Sequence, residues 1–246
     1  MTVADAYSAG AAAWARGPMR VYGKLAELLV ARAEVRGRDV LDLGTGTGAA
    51  SRAARGANVV AVDVSEGMLR FERDARPPGV VGDALALPFR DGAFDVVVAA
   101  FSLNHLPDPA VGVREAGRVS RDCVLLSTYA PDDDHPVKHA VDAALREAGW
   151  VAPEWYAAVK GSASSWGTVD LATEVVERGG LVVVRAERLD VPYPELAPID
   201  LVRWRLGMAN CAEFSATHDV EARALELLGS CEPLVRSVVF VTARVH

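Results

Sequence analysis

Residues 40–54, VLDLGTGTGAASRAA, constrain the fold more than any other stretch of the chain. An apolar strand pattern (Val40, Leu41, Leu43) runs into glycines at 44, 46 and 48, then into a small-residue helix. Glycines at alternate positions let the backbone turn tightly and come close to a ligand, as nucleotide loops do. Further short apolar runs follow at 58–63 (NVVAVD), 79–83 (GVVGD), 94–101 (FDVVVAAF) and 123–130 (CVLLSTYA). Helical patterns at 49–55, 65–75 and 107–119 separate them. Strands that are apolar on both faces and alternate with helices predict a parallel sheet covered on both sides.

The flanks are less regular. Residues 3–35 have helical spacing, with Tyr22, Leu25, Ala26, Leu29 and Val30 on one face and Gly17–Pro18 as the one turn signal. After the fifth strand, 135–150 and 169–180 read as helices, while 181–191 and 235–245 read as long strands bracketing a mainly helical stretch, 198–230. Closing strands without glycine loops predict a sheet edge with one antiparallel member. No repeat or linker divides the chain.

The net charge of −7 over 246 residues disfavours a general nucleic-acid binder, whose footprint is a basic stripe. Three cysteines (Cys123, Cys211, Cys231) without paired spacing point to a reducing cytoplasm. MTVADAYSAG has no basic leader-like segment, and the longest strongly apolar run, 96–103, is far short of the roughly 20 residues of a membrane span. The expected partner is a small molecule, with neither nucleic acid nor membrane involved. Richness in Ala, Val, Arg, Asp and Gly fits high-GC bacterial coding.

Ligands of an open parallel sheet bind at the carboxyl ends of its strands. The glycine loop and the acids ending strands two and three, Asp63 and Asp83, should therefore converge. Gly44 and Asp63 stand 19 residues apart, close to the spacing at which an acid receives a ribose diol, but nicotinamide dinucleotides use the same spacing. Asp42 discriminates. A carboxylate beside the loop would oppose a pyrophosphate by about 1 kcal/mol or more at an effective dielectric near 20. It would favour S-adenosylmethionine, which has no phosphate and carries an ammonium and a sulfonium. The G-T-G-T-G loop also departs from the dinucleotide fingerprint, whose third glycine falls here at Ala49.

VLDLGTGTG, VVAVDVSEGML and GDALALPFRDGAFDVVVAAFSLNHLPD together resemble class I S-adenosylmethionine-dependent methyltransferases, closest to the small-molecule branch of ubiquinone and menaquinone biosynthesis (methyltransferase type 11). The resemblance spans roughly residues 38–128. It implies that Gly44, Thr45 and Gly46 approach the methionine part of the cofactor, with Asp42 supporting the loop. Asp63 would receive both ribose hydroxyls, with Val64 and Met68 around the adenosine. Asp83 and the Ala84 amide would meet the adenine, and Phe101 the methionine moiety or the transferred methyl. The N-terminal helices, with Tyr7, Trp14, Arg20 and Tyr22, resemble a lid, in which Arg20 or Tyr22 would contact the cofactor carboxylate. Where the family often has a glycine pair before strand five, this chain has SRDC (120–123), expected to alter a distal turn only.

Other features are read against plainer roles. His105 in FSLNHLPD stands where a general base would, although it could equally cap the next helix or contact the cofactor, and Asn104 is a candidate substrate ligand of similar standing. Tyr129 and Trp204 are acceptor-side candidates, with LVRWRLGMANCAEF (201–214) as the acceptor cap. The run DDDHPVKH (132–139) offers His135 and His139 four apart among aspartates, but acids and a proline at a helix start are ordinary, so no metal is expected.

The expected fold is α/β, a Rossmann-like, doubly wound and mostly parallel seven-stranded sheet with the last strand antiparallel. A helical lid (1–36), a cofactor-binding core (37–130) and an acceptor-side half (131–246, cap at about 198–230) would form one domain. The expected reaction is in-line methyl transfer from S-adenosylmethionine to an aromatic or hydrophobic small molecule, yielding S-adenosylhomocysteine. The competing readings are a dinucleotide-dependent oxidoreductase, a methyltransferase acting on one RNA site, and a non-catalytic cofactor-binding protein.

Overall fold

The computed structural model describes residues 2–157, 159 and 165–246. Seven strands, β1 (Asp39–Leu43), β2 (Asn58–Asp63), β3 (Gly79–Val81), β4 (Phe94–Ala100), β5 (Ser120–Tyr129), β6 (Val182–Tyr193) and β7 (Leu234–Arg244), form one sheet in the order β3-β2-β1-β4-β5-β7-β6. β7 runs antiparallel to both of its neighbours, and the other pairings are parallel. Neighbouring residues of the central strands serve opposite cores. Val40, Val96, Val98 and Leu125 belong to one buried cluster, while Leu41, Val97, Ala99, Val124 and Leu126 belong to the other. That explains why these strands read as continuous apolar runs: both faces are covered.

The N-terminal helical stretch is two helices, α1 (Val3–Arg16) and α2 (Pro18–Val30). Pro18 has no N–H to continue the ladder, and a Cβ at Gly17 would overlap the Arg203 carbonyl. α3 (Ala49–Ala53) follows the glycine loop. The single helix expected over 65–75 is instead α4 (Glu66–Arg70) and a 3-10 turn, Arg73–Ala75, interrupted by the left-handed Glu72 (φ 49). α5 (Pro109–Val119) and α7 (Val169–Arg178) cover one face of the sheet, and α6 (Pro136–Glu147) lies on the other among the cap helices. Between β6 and β7 stand α8 (Pro198–Leu206), α9 (Ala212–Thr217) and α10 (Glu221–Leu228).

Residues 120–123 are not a distal turn, because SRDC opens β5. Two steps along β4 (Phe94 to Val96) match three along β5 (Ser120 to Cys123) there, a bulge in which the Ser120 hydroxyl donates to the Cys123 carbonyl. Among the described residues, no helix is long and apolar enough to cross a membrane.

Candidate active site

The strand order reverses between β1 and β4, where Val40, Leu41 and Asp42 pair with Val96, Val97 and Val98. A cavity of about 870 Å³ opens at the carboxyl ends of these strands, toward the upper end of the 300–1,000 Å³ usual for small-molecule sites. Its lining includes Asp42, Gly44, Thr45, Gly46, Asp63, Val64, Asp83, Ala84, Phe101 and Tyr22, together with Asn104, His105, Tyr129 and Trp204.

The glycine loop is held from inside by Asp42. Its Oδ2 accepts from the Thr45 hydroxyl (2.7 Å), the Ser51 amide (2.8 Å) and the Ser51 hydroxyl (2.6 Å), tying β1 to the loop and to the start of α3. Burial pushes the Asp42 carboxyl up, and the bonds from Ser51 and Thr45 oppose that. Asp63 also braces the loop, its two oxygens accepting the Gly46 and Ser65 amides at 2.8 Å each. Each oxygen keeps a lone pair for a further donor. Asp83, exposed at the end of the β3 segment, accepts the Leu85 amide. Acids without a basic partner in the lining stand at the loop end of the cavity, whereas Lys138, Arg205 and Arg236, from α6, α8 and β7, line it together with Asp133, Asp134 and Asp142.

A continuous aromatic wall joins the lid to the far end. Tyr7 packs on Trp14 (5.4 Å between centroids), Trp14 on Tyr22 (4.9 Å), Tyr22 edge-on to Phe101 (5.6 Å), and Phe101 stacks on Tyr129 (4.5 Å). Phe101 takes a left-handed backbone (φ 57), with its amide donated to Ser127 Oγ. Such strain in a non-glycine residue at a strand end belongs to functional sites. α1 closes over the cavity through Ser8, whose hydroxyl meets Ser65 Oγ at 2.8 Å, and through Tyr7, whose hydroxyl lies 3.2 Å from His105 Nε2. Gly67 permits this approach, since a Cβ there would stand 2.6 Å from the Ser8 backbone.

Two of the residues expected at the cofactor lie outside the lining. Arg20 is half exposed and pairs with Asp200, joining α2 to α8. Met68 is packed in the core beneath the site. In the 132–139 run, His135 caps α6 through Nδ1 and reaches the Glu232 carbonyl through Nε2, and His139 pairs with Asp134. Among the described residues, no three His, Cys, Asp or Glu side chains gather to hold a metal.

Residues missed in the sequence include Arg76, which donates to Thr45 Oγ1 at 3.2 Å and braces the loop from outside the cavity. Arg236 was missed too. Its signal was its parity within β7, on the face of Leu234, Val238 and Phe240, where a charge must be buried.

Burial lowers His105 to about 4, so its imidazole is neutral at physiological pH. The unfolded chain takes up that proton near pH 6.5 and the folded one only near 4, so this contribution to stability is complete above 6.5 and lost as pH falls through that window. It amounts to at most about 3 kcal/mol. Urea denaturation at pH 7 and pH 4.5 should show a smaller acid loss for His105→Phe than for the native chain. An equal loss would refute it.

A family profile described as a methyltransferase domain matches residues 41–125, the segment that supplies β1 to β5 and the glycine loop. In sequence, that segment, and not the whole chain, is what is similar to methyltransferase domains. Demethylmenaquinone methyltransferases are similar to the chain over this segment. That of Mycolicibacterium gilvum is 46% identical over 84 residues (33% of this chain, 37% of the relative), and that of Clavibacter sepedonicus 47% identical over 94 residues (35% and 38%). The match thus spans well under half the length of these relatives. Solved structures match over much more of the chain. YcgJ of Bacillus subtilis does so with TM-score 0.56 and 20% identity (90% of this chain, 97% of that one). Magnesium protoporphyrin IX methyltransferase of Synechocystis PCC 6803, solved with bound S-adenosylhomocysteine, does so with TM-score 0.53 and 13% identity (93% and 83%). At these identities the likeness is one of fold.

Proposed function

We propose that this chain transfers a methyl group from S-adenosylmethionine to a flat, partly apolar small molecule by in-line attack. The observation that carries the reading is the charge of the loop end: carboxylates at 42, 63 and 83 line it, and the cavity's lysine and arginines sit at the other end, each beside an acid. The donor set fits a cationic, phosphate-free cofactor, and a Cβ at Gly46 would meet nothing within 4 Å, so backbone there is open to a ligand. Bound at this end, the cofactor supplies an electrophilic methyl on a sulfonium.

The protein's own part is positioning and exclusion of water. Asp63 and Asp83 would take hydroxyl and amino hydrogens, Phe101 and Tyr22 would wall the reacting region, and α1 would shut it from solvent. Asn104, Tyr129 and Trp204 would face the acceptor. His105, neutral and with no partner for its Nδ1 among the described residues, would be the candidate general base, although the burial that lowers it also weakens it as a base. We read residues 1–246 as one domain of a cytoplasmic enzyme, in keeping with three free cysteines, two of them buried.

Calorimetric titration tests the reading. S-adenosylmethionine and S-adenosylhomocysteine should bind, and NADH should not. Asp63→Ala should weaken both by about 1–3 kcal/mol, the usual cost of losing one partner of a buried charged hydrogen bond. Tight NADH binding with silent S-adenosylmethionine would overturn the proposal.

A further inference from the structure

Most of the buried side-chain polar atoms without a partner among the described residues belong to this cavity, and several of them gather at the end away from the glycine loop. At their centre is Arg236. Its guanidinium carbon lies 4.4 Å from the Tyr129 ring centroid and 4.8 Å from that of Trp204, so both rings contact it. Its Nε and Nη2 donate to the two oxygens of Asp133 at 2.9 and 2.7 Å. Lys138 also reaches Asp133, at 3.0 Å. The neighbouring Arg205 has its own acid in Asp142, and Asp134 pairs with His139 at the exposed rim. Around Asp133 itself, two cations, Arg236 and Lys138, share one buried carboxylate.

The remaining guanidinium nitrogen, Arg236 Nη1, is buried without a partner among the described residues, and so is Trp204 Nε1. Both are donors without an acceptor. Buried donors are ordinarily satisfied, and a cation's unmet N–H is the costlier kind. An unmet donor on a cation whose one acid is shared calls for an anionic oxygen, and arginine is the side chain suited to hold one in a dry site.

We propose that this corner binds an anionic oxygen of the acceptor, carboxylate or phenolate, through Arg236 Nη1 with Trp204 Nε1 as second donor, the acceptor's ring lying along the Phe101–Tyr129 wall. The proposal rests on the methyltransferase reading only in calling that ligand the acceptor. An anchor of this kind selects acidic aromatic compounds over neutral ones of the same shape. It also orients them relative to the loop end, where His105 and Asn104 stand.

Binding of two matched pairs tests it at pH 8, by calorimetry with and without S-adenosylhomocysteine. The pairs are 2-naphthoate against 2-naphthamide, and 4-nitrophenolate against 4-nitroanisole. The native protein should prefer the anion at least tenfold in one pair, and the pair that discriminates identifies the source of the oxygen. In Arg236→Gln, where Lys138 still neutralises Asp133, the preference should fall to within twofold while S-adenosylhomocysteine affinity is kept. If that variant does not fold, Arg236→Lys keeps the pair with Asp133 and should still lose most of the preference. Equal binding within both pairs, no binding of any probe, or a preference that survives the variant that folds would overturn the proposal. Failure of S-adenosylhomocysteine to bind the native protein would count against the methyltransferase reading instead, because the probe pairs are also run without it.

Discussion

Gly44→Ala is expected to lose about 3 kcal/mol of folding stability, and cofactor affinity with it, by overpacking and backbone strain together. A Cβ at residue 44 would overlap the Ser102 side chain, and the backbone there is left-handed (φ 70). Ser102 lies directly beyond β4, so this glycine is where the ends of β1 and β4 meet at the reversal of strand order. The resemblance assigned Gly44 to the cofactor, but the atoms that exclude a side chain there belong to the protein itself. Gly46 is the contrast, with positive φ and open space at its Cβ, so Gly46→Ala should cost only about 1 kcal/mol of backbone strain. Denaturant titration of Gly44→Ala, Ser102→Gly and the double variant separates the two effects. Ser102→Gly should restore the steric part and leave about 1 kcal/mol of strain in the double variant. Native stability in Gly44→Ala would refute the argument.

What the sequence showed follows from the range over which each interaction acts. β1 to β4 and the glycine loop are local patterns, in which burial on both faces or a tight turn leaves its mark within a few residues. Asp42 and Asp63 were also legible, because strand ends of this fold converge by topology. The roles of these acids were only half legible. Asp63 was expected to serve a ligand's ribose, and it also accepts the amides of Gly46 and Ser65, a bond set that depends on how the loop folds back. Arg20 stands outside the cavity lining, a place the sequence did not announce because helical spacing assigns a face without saying what packs there. Its partner, Asp200, lies 180 residues away in α8. The far end of the cavity was least legible for the same reason. Arg236, Asp133, Tyr129 and Trp204 come from β7, the β5–α6 loop, β5 and α8, with no shared motif to announce them. The clue lay in parity, since an arginine on the inward face of an apolar strand needs a buried acid.

Asp42→Ala should be as damaging as Gly44→Ala, for a different reason. Three donors converge on Asp42 Oδ2, and removing the carboxylate strands the Ser51 amide and two hydroxyls in the interior, at about 3–4 kcal/mol in all. Asp42→Asn keeps one oxygen for those donors but loses the charge, so it isolates the electrostatic role on which the choice of cofactor rested. S-adenosylmethionine carries the sulfonium charge and S-adenosylhomocysteine does not. If the carboxylate acts on that charge, Asp42→Asn should weaken the first ligand by about 1 kcal/mol more than the second, roughly fivefold, at an effective dielectric near 20. Calorimetry at pH 8 gives both affinities for the variant and the native chain. An equal loss for the two ligands would make Asp42 a brace alone and withdraw charge from the argument about the loop. An unequal loss would show that the same side chain holds the loop's shape and selects what binds above it, since its negative charge is present only while the three donors that shape the loop keep it solvated.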